Sequence, residues 1–253
     1  MLVAEEKQKK PKSVHAGHRL RVKERFFKEG LDHFEPHQVL EMLLFFGVPM
    51  KDTNELAHAL IDTFGSLYKV LEASSEDLKQ VKGVTDHVAC LICFCGQLAK
   101  RYWVDRCGAG EILDTSQKIG EYVKYRFVGE QNEAVYMVSM DNRRKVLNCT
   151  KIASGSVNSA DINIRNVIRQ ALQDNATLVA IAHNHPNGHA CPSSADVRTT
   201  EMFSRALSVA DIHLIDHIVV AEDDFVSMAQ SKNWKPLFDP RYAFSDDLAE
   251  KRN

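Results

Sequence analysis

The sequence predicts an α/β (α+β) protein in which a small all-helical domain is followed by a mixed β-sheet domain flanked by helices. From Leu20 to about Trp103, apolar residues recur at helical spacing. The second half instead alternates strand-like and helix-like patterns, which is typical of a sheet with helices packed on it. Near its middle lies LVAIA, residues 178–182, a wholly apolar run that predicts a central strand buried on both faces.

Changes in composition divide the chain into five predicted segments. They are a basic tail (1–14), a helical domain (15–103), a linker (104–112), a sheet domain (113–238) and a polar tail (239–253). The linker is predicted because VDRCGAGEIL combines glycines with mixed charge.

The helical domain is predicted to contain several short helices. Two apolar faces at helical spacing are formed by Val39, Leu40, Leu43 and Leu44, and by Leu56, Ala59, Leu60 and Phe64. Breaks at residues 47–49, at residues 65–66 and at Gly83 separate the helices.

Strands and helices are interleaved in the predicted sheet domain. The predicted strands are residues 134–140, 146–152, 178–182, 212–220 and 225–228. A first helix is predicted after Ser159, its expected N-cap, because Ile164, Val167, Ile168, Ala171 and Leu172 share one face. A second helix is predicted to begin near Ser193 or Ser194 and to reach Ala210.

Composition excludes several classes of protein. No apolar run approaches the roughly 18 residues that a membrane span needs, so no membrane partner is expected. The N-terminus lacks the apolar core of a signal peptide, and the six cysteines do not suggest a disulfide framework, so we expect a cytoplasmic protein. Residues 1–30 carry nine Lys or Arg against four Glu, which favours either contact with phosphate backbones or a solvated basic tail.

One short stretch, HNHPNGHACPSSAD at residues 183–196, concentrates metal-ligand side chains. His183 and His185 follow the buried strand and, being two apart in extended chain, point to the same face. Asp196 lies on the first turn of the next helix and completes a set of two nitrogen ligands and one oxygen ligand. A fourth position left for water is typical of catalytic zinc, so one Zn²⁺ per chain is predicted.

Explanations that involve no metal account for parts of this stretch. Ser193-x-x-Asp196 fits the reciprocal capping pattern at a helix N-terminus, and a His-x-His pair also occurs by chance. Only a metal site explains all of these residues together, and a metal site is compatible with the capping role of Ser193 and Asp196. A catalytic zinc also needs a base, for which Glu133, just before the first predicted strand, is the candidate and Glu130 the rival.

Together these residues resemble a known family. His183-x-His185, seven residues and then Ser193-x-x-Asp196, with Glu133 upstream, are similar to the JAMM motif of JAB/MPN-domain metalloproteases. HNHPNG, SGSVN (154–158) and LIDHIVV (214–220) resemble the RadC branch. GHRLRVKERFFKEG, DTNELAHALIDTFGS and VKGVTDHVA resemble the helical N-terminal region of RadC proteins.

The resemblance implies a JAB/MPN-like, cytidine-deaminase-like fold and a zinc metallopeptidase acting on a peptide or protein substrate. In the family pattern, His183, His185 and Asp196 would bind zinc together with a water molecule. Glu133 would be the general base and later the proton donor, and Ser193 would hydrogen-bond the oxyanion or orient the water. The reaction implied is hydrolysis of a peptide or isopeptide bond. For the pair Asp216–His217, a supporting or buried structural role is favoured over catalysis.

The helical region resembles a second module. The stretch from Leu78 to Ile92 is similar to a helix-hairpin-helix, which binds DNA backbone through a Gly-h-Gly turn. Thr85 replaces the second glycine, so DNA contact and a purely packing or protein-interaction role both remain open.

Three functions are therefore compared. The leading one is a JAMM-type zinc metallopeptidase. The alternative is a DNA-associated repair or recombination module, in keeping with the RadC name, in which the JAB domain is a scaffold or a metal-dependent nuclease. The third is a degenerate JAB domain used only for protein contacts, against which the presence of all five motif residues argues.

Overall fold

The computed structural model describes residues 17–49, 51–106, 108, 110–155, 163–186, 188–222 and 224–239. The predicted basic tail, Ser159, the end of SGSVN and nearly all of the predicted polar tail lie outside these ranges. The chain forms two compact units, Met1–Leu98 and Ala99–Asn253.

The first unit is helical, as predicted. Its helices are α1 (His18–Glu29), α2 (Pro36–Gly47), α3 (Asn54–Phe64), α4 (Leu67–Glu72), α5 (Ser75–Lys79) and α6 (Asp86–Arg106), the last of which continues past the boundary between the units. Its core buries the predicted apolar faces of α2 and α3, including Leu40, Leu44 and Leu60. Local signals set the helix starts, since Ser66 and Ser74 cap α4 and α5 with their side chains.

The stretch that resembles a helix-hairpin-helix contains the turn between α5 and α6. Gly83 adopts a φ of 100°, which only glycine adopts readily. Thr85 then lies at the start of α6, where its hydroxyl accepts the N–H of Val88 at 3.3 Å. A helix-hairpin-helix would offer free amides of this kind to a phosphate, whereas here a side chain already satisfies one of them.

The second unit contains a five-stranded sheet with the order β2-β1-β3-β4-β5. The strands are β1 (Ala134–Met140), β2 (Val146–Ser154), β3 (Leu178–Asn184), β4 (His213–Ala221) and β5 (Asp224–Ser227). Only β3 and β4 pair in parallel, and β3 is central as predicted. Helices α7 (Ser116–Lys124), α8 (Ile164–Gln173) and α9 (Ser194–Ser208) and the short 3-10 helix Lys235–Phe238 complete this α+β fold.

The sheet separates two apolar cores. Alternation along β1 and β3 sends Val135 and Ile181 to one face, where they pack with residues of α8 and α9 such as Phe203. Tyr136 and Ala182 belong to the core on the other face, which includes residues of α7. Within β1 and β3, the face on which a residue lies therefore follows from whether its number is odd or even.

Some predicted boundaries and faces need correction. The predicted strand at 178–182 continues to Asn184, and the helix expected to reach Ala210 ends at Ser208. The N-cap of α8 is Asn163 and not Ser159 as predicted, because the side chain of Asn163 accepts the N–H of Arg165. Leu172 was predicted on the buried face of α8 but is 55% exposed, while Val167 and Ala171 are buried. The buried stripe of this helix is narrower than its apolar pattern, since only one edge of the helix contacts the core. Among the described residues, no helix combines the length and apolarity that crossing a membrane requires.

Helices α6 and α4 are in close contact at Gly96, and this contact leads to a testable prediction. A Cβ at Gly96 would overlap the backbone carbonyl oxygen of Leu71, which cannot rotate away as a side chain could. We expect Gly96→Ala to lower the free energy of unfolding by about 1–3 kcal/mol, measured by urea denaturation. The exposed neighbour Gln97 supplies the control, because Gln97→Ala should stay within about 0.5 kcal/mol of the parent. Equal stability of the two variants would contradict the close contact.

Candidate metal centre

Strand β3 carries the first histidine of the motif to the end of the core. His183 pairs with Val135 of β1 and Val219 of β4, and it is only 2% exposed. His185 lies just beyond β3, where its N–H donates to the carbonyl of Val220 at 2.8 Å and keeps the chain extended. The two imidazoles consequently share a face, with 3.0 Å between their Nε2 atoms.

Helix α9 brings the carboxylate. Ser193 is the N-cap and Asp196 the N3 residue of a capping box, which confirms the predicted reciprocal capping. The Asp196 Oδ1 atom lies 3.1 Å from Nε2 of His183, and its Oδ2 atom lies 3.6 Å from Nε2 of His185. The structure thus brings together the three residues predicted as metal ligands, with one donor atom of each within 4.8 Å of the others.

Burial in this His183–His185–Asp196 cluster is graded. The side chain of His183 is 2% exposed and that of Asp196 is 8% exposed, whereas that of His185 is 20% exposed. The cluster therefore has a buried back and a front that opens to solvent beside His185. An open front is where water or a substrate group can approach.

Hydrogen bonds orient the donor atoms toward one point. Nδ1 of His185 lies 3.0 Å from the carbonyl oxygen of His189. Because a carbonyl only accepts, Nδ1 carries the proton, and Nε2 of a neutral His185 presents its lone pair to the cluster. Oδ2 of Asp196 accepts both the N–H and the O–H of Ser193, each at 2.7 Å, which leaves Oδ1 as the less occupied oxygen.

The charge of the cluster suits a cation. Burial raises the pKa of the Asp196 carboxyl, but the hydrogen bond and charge of His183 and the hydrogen bonds from Ser193 outweigh it, so the pKa lies well below its usual range. When both imidazoles are neutral, their lone pairs face the ionised carboxylate instead, and these groups repel each other unless a cation lies between them. Two nitrogen donors and one oxygen donor in this arrangement can bind a divalent metal ion.

Glu133, the predicted base, lies directly before β1. Its carbonyl accepts the N–H of Gly155 at 2.8 Å, so the pairing of β1 with β2 continues through this residue. Val135 pairs with His183, so extending this antiparallel register by two residues would place Glu133 opposite His185. Strand alternation then assigns Glu133 to the same face of the sheet as both histidines.

Asn184 fixes the backbone around this glutamate and was not predicted as functional. Its Oδ1 accepts the N–H of Ala134 at 2.7 Å, and its Nδ2 donates to the carbonyl of Asn132 at 3.2 Å. The residue between the two histidines therefore clamps the chain on both sides of Glu133. Its signal in the sequence is a buried polar residue inside a strand end, but its partners are 50 and 52 residues away.

Glu130, the rival base, is occupied elsewhere. Its carboxylate lies 3.2 Å from Nζ of Lys100 and 2.7 Å from Nζ of Lys151, and it accepts the hydroxyl of Tyr136 at 3.2 Å. Tyr136 belongs to the core on the face opposite the histidines. Partial burial raises the pKa of Glu130, but the two lysines outweigh it and lower the pKa. A carboxylate held in this way is a poor proton acceptor.

The neighbours Asp216 and His217 serve two different parts of the fold. Asp216 is buried and accepts the hydroxyl of Ser227 and the N–H groups of Ala229 and His217, so it joins β4 to β5 and the turn that follows. Burial raises the pKa of this carboxyl. His217 is also buried, and its ring lies against the ring of His183.

Comparison with known protein families identifies the region that holds the cluster. Residues 113–234 match the family described as RadC-like JAB domain. The matched region includes the whole five-stranded sheet, helix α9, Glu133 and the three cluster residues.

The N-cap of α9 generates a testable prediction. Ser193→Ala removes the hydroxyl that accepts the N–H of Asp196 and donates to its carboxylate, so we expect a loss of about 1 kcal/mol in the free energy of unfolding. Thermal or urea unfolding of the metal-free protein measures it. Ser194→Ala, one position later and exposed, should change stability by less than about 0.5 kcal/mol. Identical losses in both variants would show that the cap contributes nothing specific.

Proposed function

We infer the function of this chain from its C-terminal part, residues 113–234, which is a RadC-like JAB domain. We propose that it is a JAMM-type zinc hydrolase that cleaves a peptide or isopeptide bond. The observation that carries the proposal is the cluster itself, in which three donor atoms meet at one point with an open front. Structural zinc sites close with four protein ligands, whereas catalytic sites retain an open position.

His183, His185 and Asp196 would hold the zinc ion, one per chain. When bound, zinc polarises the carbonyl of the scissile bond and lowers the pKa of a water molecule toward neutrality. Glu133, directly before β1, would take a proton from the attacking water and return it to the leaving amine. The clamp by Asn184 limits the movement of Glu133 during this transfer.

Ser193 has two proposed roles, which differ in the group that receives its hydroxyl proton. In the present arrangement its hydroxyl donates to Oδ2 of Asp196, so it orients a metal ligand. To stabilise an oxyanion, the same hydroxyl proton must leave Asp196 and turn toward the substrate. Pre-aimed donors of that kind contribute a few kcal/mol to catalysis.

The DNA-associated alternative has less support among the described residues. The hydroxyl of Thr85 occupies an amide at the start of α6. In α1, the guanidinium of Arg19 donates to the backbone carbonyls of Phe45 and Val48, and that of Arg25 contacts the carbonyl of His33. These cations already stabilise the helical unit, which reduces their availability to a phosphate backbone.

Metal content is the first test of the proposal. Protein purified without added zinc should contain about one zinc per chain, and His185→Ala and Asp196→Ala should each lose it. His189→Ala is the matched control in the same loop, because only the backbone carbonyl of His189 contacts the cluster. Zinc content is measured by inductively coupled plasma mass spectrometry. A folded parent that takes up no zinc, even when supplied with it, would overturn the hydrolase proposal.

The two glutamates provide a matched test of the base. With zinc bound, Glu133→Gln should lower cleavage of a library of synthetic peptides and lysine-linked isopeptides by about 100-fold or more, with its zinc content unchanged. Glu130→Gln should retain activity within a few-fold, because that carboxylate is bound to lysines on the other face. Activity that survives Glu133→Gln would exclude this residue as the base. DNA binding that weakens steeply with salt, with no cleavage by the parent, would favour the alternative function.

A further inference from the structure

Two buried polar residues lie directly behind the metal cluster and have no part in the proposed reaction. His217 of β4 and Thr200 of α9 are 2% and 0% exposed. Thr200 follows Asp196 by one helical turn, and His217 packs against His183. Each of them therefore contacts one of the proposed ligands from the side that faces away from solvent.

An unbroken chain of hydrogen bonds joins these four residues. Nδ1 of His183 lies 2.8 Å from Nε2 of His217. Nδ1 of His217 lies 2.6 Å from the hydroxyl of Thr200, which donates to the backbone carbonyl of Asp196 at 2.6 Å. The chain begins at one ligand and ends at the residue that supplies another.

The chemistry of the end group sets the direction of every bond in this chain. The carbonyl of Asp196 only accepts, and at 2.6 Å it is a closer and stronger acceptor for the Thr200 hydroxyl than Sδ of Met228 at 3.5 Å. The single hydroxyl proton of Thr200 is therefore committed to the carbonyl of Asp196. The Thr200 oxygen must then accept from Nδ1–H of His217, which leaves Nε2 of a neutral His217 as an acceptor. His183 consequently donates its Nδ1–H and presents the lone pair of Nε2 to the cluster.

The same tautomer follows from the other end. If Nε2 of His183 binds a metal ion, the remaining proton of that imidazole is on Nδ1 and requires an acceptor. The structure supplies Nε2 of His217 at hydrogen-bond distance. Agreement between the two ends means that none of these four groups is left with an unmatched donor or acceptor in the metal-bound state.

We propose that His217 and Thr200 are positioning residues for the metal centre, which fix the tautomer and ring orientation of His183 and tie it to the backbone of Asp196. This inference rests on the proposed metal-dependent function and adds to it the support of the ligands. Outer hydrogen bonds of this kind, when removed, weaken metal affinity by about 10-fold to 100-fold. A neutral imidazole as the acceptor places no additional negative charge behind the metal.

Two adjacent threonines of α9 make a matched test. Thr200→Val removes the hydroxyl that joins His217 to Asp196 and keeps the shape of the side chain. Thr199→Val makes the same change at a neighbour that is 3% exposed and whose hydroxyl has no hydrogen-bond partner among the described residues. We expect Thr200→Val to weaken zinc binding by about 10-fold and Thr199→Val to leave it unchanged, measured by competition with a chelator.

Substitutions of His217 test the other half of the chain. His217→Phe removes the acceptor for His183, and we expect a loss of about 10-fold to 100-fold in zinc affinity. His217→Gln retains a carbonyl oxygen that can accept the same proton, and it should bind zinc within a few-fold of the parent. In nitrogen-15 NMR spectra of the zinc-loaded parent, His183 should show an Nδ1–H protected from exchange, and that protection should be lost in His217→Phe.

The outcomes separate this inference from the proposed function. A parent that binds no zinc overturns both. A parent that binds zinc, with equal affinities for the two threonine variants and an unaltered His183 signal in His217→Phe, overturns the inference alone. Near-ultraviolet circular dichroism of the metal-free variants checks their folding, and the threonine pair decides the question if His217→Phe does not fold.

Discussion

The central strand of the sheet is the constraint on which the candidate site depends. β3 has neighbours on both sides, so its backbone is fixed along its whole length, and it becomes polar only where it leaves the core. At that point three successive residues divide between the two faces. His183 and His185 turn toward α9, while Asn184 reaches across to the chain before β1. A helix start then supplies the carboxylate, held by its own cap.

Much of this arrangement was predictable because its determinants are local. The apolar run before His183 predicts a buried strand, extended geometry brings His185 to the same face, and Ser193-x-x-Asp196 is a complete cap within four residues. The mixed sheet with a central strand followed from the alternation of patterns along the chain. These inferences needed only short stretches of sequence and the order in which they follow one another.

The support behind the cluster was predictable only in part, because its contacts are not local. A supporting or buried structural role was favoured for Asp216–His217, but the partners of His217 were not predicted. The contact between Thr200 and His217 spans 17 residues, that between His183 and His217 spans 34, and that between Asn184 and Ala134 spans 50. Such contacts depend on strand register, which no local pattern specifies. The choice between Glu133 and Glu130 needed register as well, because position before a strand does not say which face a side chain occupies. The exposure of Leu172 has a similar cause, since an apolar pattern identifies one face of a helix but not how many of its residues are buried by the rest of the fold.

The division of faces along β1 has a consequence for how this protein can vary. Because successive side chains alternate, the carboxylate and the histidines stay on one face only while Glu133 is an even number of residues away from Val135, which pairs with His183. Loss or gain of a single residue between Glu133 and the first paired positions of β1 would move the Glu133 side chain to the opposite face of the sheet, which holds Tyr136. A change of two residues would return it to the same face. The site is therefore defined by the strand register of Glu133 as well as by the identity of its residues.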